Sequence, residues 1–109
     1  ITPGKQYLDF VHIHDICELV NIICKDIINN KIKGFKYFTV SSKRPIKLKS
    51  LVNKMNLILK KKLKVKIGAK KYRSNEAMKP IKKLYNYPSW KPKLNLVKEL
   101  KKIFDGIND

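Results

Sequence analysis

A chain of 109 residues with 43% hydrophobic content holds at most one domain, near the lower limit for an independent core, and is too apolar for wholesale disorder. No apolar run is long enough to span a bilayer and no signal-peptide pattern opens the chain. Its 26 basic and 8 acidic residues leave a net charge of +18. That excess points first to nucleic acid or another polyanion. The make-up of the charge weakens this reading, because only Arg44 and Arg73 are arginines and the rest are lysines. Arginine is the side chain best shaped for two-pronged contacts to phosphates and bases. A generally solvated lysine surface is the simpler expectation.

In chain order, the stretch Tyr7 to Ile28 reads as a strand running into a helix. Phe10, Val11 and Ile13 form the β-favouring run. From Ile16 the apolar positions Leu19, Val20, Ile23 and Ile27 take helical spacing. Asp15 is the expected N-cap, with Glu18 three residues on completing a capping box. Cys17 and Cys24 lie seven residues apart, about 10 Å along one helix, too far for a disulfide. Buried free thiols and a reducing cytoplasm are therefore expected.

Phe35 to Val40 shows little alternation and predicts a strand buried on both faces, the habit of a parallel sheet. Ser41 to Pro45 makes a turn. A second helix follows, with Leu48, Leu51, Val52, Met55 and Leu59 on one stripe and the poor cap Lys47 in front. Leu63 to Ile67 alternates as a one-sided strand ended by Gly68, and Tyr72 to Glu76 is a loop. Pro80, Pro88 and Pro92 keep the next region irregular apart from one helical turn near Ile81 to Leu84. Trp90, bracketed by prolines, is expected to be a packing anchor, although an exposed ring there could stack a base. Asn95 caps a last helix striped by Leu96, Val97, Leu100, Ile103, Phe104 and Ile107. These elements ask for a larger sheet than the chain supplies.

Four segments, in order, resemble one family. YLDFVHIHDICELV is similar to a "RDFVHVDDVAEAV" segment, FKYFTVSSKRPIKLKSLV to "YNVGSGKPISLKELV", GAKKYRSNEAM to "GAxPYRPNEVM" and SWKPKLNLVKEL to "GWKPKTSLEEGL". Together they resemble the C-terminal part of the NAD-dependent nucleotide-sugar epimerase/dehydratase family, the extended short-chain dehydrogenases. The resemblance implies an α/β fold in which residues 1–109 are the substrate-binding portion of an extended Rossmann-type epimerase. Its N-terminal dinucleotide-binding domain is absent from this sequence. It implies NAD or NADP for the parent enzyme and none held by this chain. Gly4, Gly34, Gly68 and Gly106 are scattered and form no phosphate-cradling turn. Tyr87 and Lys91 have the spacing of the family's catalytic Tyr-x-x-x-Lys, but Pro88 forbids the helix that the pair needs.

The resemblance also implies the site residues. Arg73 matches the loop arginine that grips the sugar-nucleotide diphosphate, and Glu76 the acidic residue of the same loop. Leu8 replaces a phosphate-contacting arginine, for which Lys5 could compensate. Phe10 keeps the ring of a site-lining tyrosine without its hydroxyl. A metal site at His12 and His14 is conceivable, but with no second ligand cluster polar strand-end roles are expected instead. The implied partners are a nucleotide-diphosphate sugar and the Rossmann domain; a homodimer through uncovered apolar faces is expected if the chain is a truncated product. The rival readings are a basic module for nucleic acid and an inactive truncated product.

Overall fold

A computed structural model describes residues 1–60 and 63–108. It is a small mixed α/β structure of three helices and a two-stranded antiparallel sheet. Strand β1 is Tyr7–Leu8, helix α1 Ile13–Ile28, strand β2 Ile46–Lys47, helix α2 Leu48–Leu59 and helix α3 Leu96–Asn108. Tyr7 pairs with Lys47 and Leu8 with Ile46.

Helices α2 and α3 fall where the periodicity puts them, although Ile103 and Ile107 of the α3 stripe are exposed. Asn95 caps α3 through its side-chain oxygen, which accepts from the amides of Val97 and Lys98 at 3.0 and 3.2 Å. Lys47 gives α2 no side-chain cap. Backbone carbonyls from the first segment replace it: Leu48 N–H donates to Gln6 and Lys49 N–H to Gly4, each at 3.0 Å. Gly4 has φ +72° and lies so close that a Cβ would meet the Lys49 backbone nitrogen at 3.0 Å. Only glycine fits this contact comfortably. Helices α2 and α3 pack on each other.

Several expectations fail. Helix α1 begins at Ile13, three residues before Ile16, and its N-cap is His12, whose Nδ1 accepts from the His14 amide at 3.0 Å. Asp15 is therefore a buried first-turn residue and not the cap. Phe10 to His12 are not a strand, and no parallel pairing occurs among the described residues. Phe35 to Val40 is not a strand and is not buried on both faces: Phe35 is 90% exposed and Tyr37 is also open to solvent, while Phe38 packs against the core. Leu63 to Ile67 joins no sheet among the described residues, and the residues after it bond the chain start instead, Gly68 N–H to Thr2 and Lys70 N–H to Ile1. Ile81 to Leu84 is a bend without a helical turn. Cys17 and Cys24 are free, as expected, but exposed.

The buried core is small: Leu19, Tyr87 and Trp90, with Val11, Ile22, Ile23, Ile32 and Phe38 against it. The whole measures 52 × 40 × 16 Å, a slab, with a radius of gyration of 17.5 Å. A compact chain of this length has about 13 Å. Its accessible surface is 9006 Å², where a compact monomer of this mass shows about 6,300 Å². Large apolar residues share in this exposure, as on the outer side of α1, where Ile13, Cys17, Val20, Cys24, Ile27 and Ile28 are all exposed.

Candidate functional site

Two hydrogen bonds lay the motif loop 72–78 beside the first segment. Lys5 N–H donates to the Tyr72 hydroxyl and Tyr7 N–H to the Met78 carbonyl, each at 2.9 Å. The loop folds on itself at Arg73 and Glu76. Glu76 N–H donates to the Arg73 carbonyl at 3.1 Å, and Arg73 N–H reaches the Glu76 carboxylate at 3.5 Å. No ion pair among the described residues includes the exposed Arg73 guanidinium, so the acid steers the loop backbone and leaves the cation free. Leu8 sits in β1, next to the segment that this loop borders.

Phe10 belongs to a different place. It borders a half-open cleft of about 350 Å³ between the start of α1, the turn at 42–44 and the loop at 86–95. Leu8, Arg73 and Glu76 border none of the main cavities found among the described residues. The four residues singled out in the sequence are thus divided: Arg73 and Glu76 lie in the loop that borders Lys5 and Tyr7, Leu8 follows Tyr7 in β1, and Phe10 lies at a cleft.

Asp9, between Leu8 and Phe10, was not legible as a key residue. Its carboxylate accepts from the Ser41 hydroxyl at 2.6 Å, from the Ser42 amide at 3.1 and 3.2 Å, and from the Ser42 hydroxyl. These bonds hold the 41–44 turn to the first segment. Asn86 extends the clasp, donating to the Ser41 carbonyl at 2.9 Å and accepting from the Thr39 hydroxyl at 3.0 Å. The only advance signal was an acid set among apolar strand residues, which needs donors from elsewhere.

Asp15 and Trp90 form the second clasp. Each Asp15 carboxylate oxygen takes one backbone amide, Lys93 at 3.1 Å and Leu94 at 3.0 Å. Trp90 Nε1–H donates to the Asp15 carbonyl at 2.9 Å, and the ring is buried. Trp90 is thus an anchor, as expected, and offers no face to a base. Glu18 does not complete a capping box; it pairs with Lys93 at 2.7 Å, which holds the ammonium's pKa above its usual value. The Tyr87 hydroxyl donates to Asp26, and this bond to a carboxylate raises the phenol's pKa.

His12 and His14 stand edge to face, centroids 4.8 Å apart. His12 Nδ1 is used as an acceptor, so the proton is on Nε2, which faces Glu99 at 3.6 Å. No group of three or more potential ligands assembles among the described residues. Nor do these residues fit a dinucleotide. The chain after β1 is Asp9-Phe10-Val11-His12 with no glycine turn, and at the α1 N-terminus, where a pyrophosphate would seat, the His12 ring already takes the His14 amide and Asp15 adds an acid to the first turn.

No protein-family model matches the chain, and neither a curated protein nor a solved structure shows significant similarity to it. No helix among the described residues is long and apolar enough to cross a membrane.

Proposed function

We propose that this chain is the substrate-side portion of an extended Rossmann-type, NAD(P)-dependent nucleotide-sugar epimerase, dehydratase or ketosugar reductase, contacting the diphosphate of its substrate. The observation that carries this reading is the juxtaposition of residues 5–8 with the 72–78 loop. These are the two segments to which the sequence resemblance assigns diphosphate contacts. Arg73 is the principal grip, because its fork can bond two phosphate oxygens at once. Leu8 cannot donate; the ammonium of exposed Lys5, on the same border, supplies the second positive charge. Glu76 keeps the loop in shape.

Cofactor and catalytic tyrosine belong to a dinucleotide-binding portion, which the bare faces of the slab would cover. The surplus surface of about 2,700 Å² matches what one side of a large obligate interface contributes. Free thiols suit a reducing compartment, so the cytoplasm is the proposed location.

The test is calorimetry of a nucleotide-diphosphate sugar with the chain joined to its dinucleotide-binding portion. Arg73→Ala should weaken binding about tenfold or more, and Arg73→Lys should recover part of it. Unchanged affinity in Arg73→Ala would remove this residue from the site.

A further inference from the structure

The cleft at Phe10 has no role in the reading above, and Arg73 and Glu76 do not border it. Four cations line it: Lys43, Arg44, Lys91 and Lys93. The one carboxylate among them is Asp15, and both its oxygens are already taken by backbone amides. Lys93 is engaged by Glu18 outside the cleft. Lys43, Arg44 and Lys91 enter no ion pair among the described residues. One of the chain's two arginines thus stands with two lysines around a concave, half-enclosed space, where low-dielectric walls concentrate the positive potential.

The turn that carries two of these cations is held under strain. Lys43 adopts φ +58°, a left-handed conformation that costs a non-glycine residue about 1–2 kcal/mol. Asp9 holds Ser41 and Ser42, whose hydroxyl oxygens in turn accept from the amides of Lys43 and Arg44 at 3.0 Å. The opposite wall, with Lys91, is fixed by the buried Trp90 and by the Asp15 bonds. Both walls are therefore set before any ligand arrives. The space suits a small molecule, and the half-exposed Phe10 ring offers it an apolar wall.

We propose that this cleft binds the terminal phosphate of a small phosphate monoester, with Arg44, Lys43 and Lys91 on the phosphate and Phe10 against the organic body. A monoester dianion uses the concentrated charge more fully than the diphosphate bridge of a sugar nucleotide, whose contacts are assigned elsewhere. The proposal does not rest on the nucleotide-sugar reading.

The test uses AMP as probe, followed by calorimetry at about 0.15 M salt, where loosely held surface charge is screened beyond about 8 Å. Saturable one-to-one binding is expected, displaced by inorganic phosphate. Arg44→Ala and Lys91→Ala should each weaken it about tenfold, whereas Lys101→Ala, the same charge removed from exposed α3, should leave it unchanged. Absence of saturable binding would overturn the proposal. So would failure of phosphate to compete, or equal losses from Arg44→Ala and Lys101→Ala. Circular dichroism of each variant keeps a folding failure from passing as lost binding.

Discussion

The two faces of α1 are built from the same kind of residue and end in opposite states. On the inner side, Leu19 is buried against Trp90 and Tyr87, and the backbone and carboxylate of Asp15 tie the helix to the proline-rich loop. On the outer side, Ile13, Cys17, Val20, Cys24 and Ile27 recur every three or four residues with no charge among them, the spacing of a helix-packing seam, and are bare. Phe35 and Tyr37 are as apolar as the inner residues and equally bare. Apolarity marks a surface as suited to burial; burial itself needs a partner surface, and among the described residues it is the inner face that has one, fixed there by hydrogen bonds.

Substitutions on the inner face should have the largest effects. Trp90→Ala removes the largest core ring and the donor to the Asp15 carbonyl. A loss of about 3–5 kcal/mol is expected, enough to unfold a chain with so small a core, read as collapse of the urea transition. Trp90→Phe should retain much of the packing and cost less. Asp15→Asn leaves one of the Lys93 and Leu94 amides facing an NH₂ group, for a loss of about 1–3 kcal/mol in thermal or urea melts. An effect near zero in either would mean that the loop is not clasped to α1.

A smaller effect is expected from alkaline titration. The Tyr87 phenol has a raised pKa in the folded state, so above about pH 10 the unfolded chain releases the proton first and stability falls as pH rises. Lys93, also raised, adds to the same fall. Below the ordinary phenol pKa the Tyr87 contribution is fully present. Tyr87→Phe should make the stability-against-pH curve shallower above pH 10; an unchanged slope would detach Tyr87 from Asp26. The smallest effect belongs to the outer face. Val20→Lys should leave stability within about 0.5 kcal/mol, as exposed substitutions do. A large loss would show that something already covers this seam.

The contrast explains what could be read in advance. Stripes and an asparagine cap revealed α2 and α3, because both signals are local. Trp90 was legible as an anchor from its prolines, although its partner Asp15, 75 residues earlier, was not. The start of α1 was misplaced because the apolar run Phe10 to Ile13 resembles a strand, while an imidazole nitrogen, outside the usual cap residues, starts the helix earlier. Phe35 to Val40 misled for a different reason: its apolar run suits a strand, and no strand among the described residues pairs with it. Arg73 and Glu76 came from resemblance, and only long-range hydrogen bonds bring their loop beside Lys5 and Tyr7. Asp9 and the cleft depend wholly on such contacts and left almost no local trace.

The substrate-side reading is tested most directly by following backbone amide resonances of the chain during titration with a nucleotide-diphosphate sugar at physiological salt. The account predicts saturable shifts concentrated at residues 5–8 and 72–78, reduced in Arg73→Ala. Shifts spread over the lysine surface and lost as salt rises, with an oligonucleotide binding tightly under the same conditions, would contradict it and favour a basic polyanion-binding module.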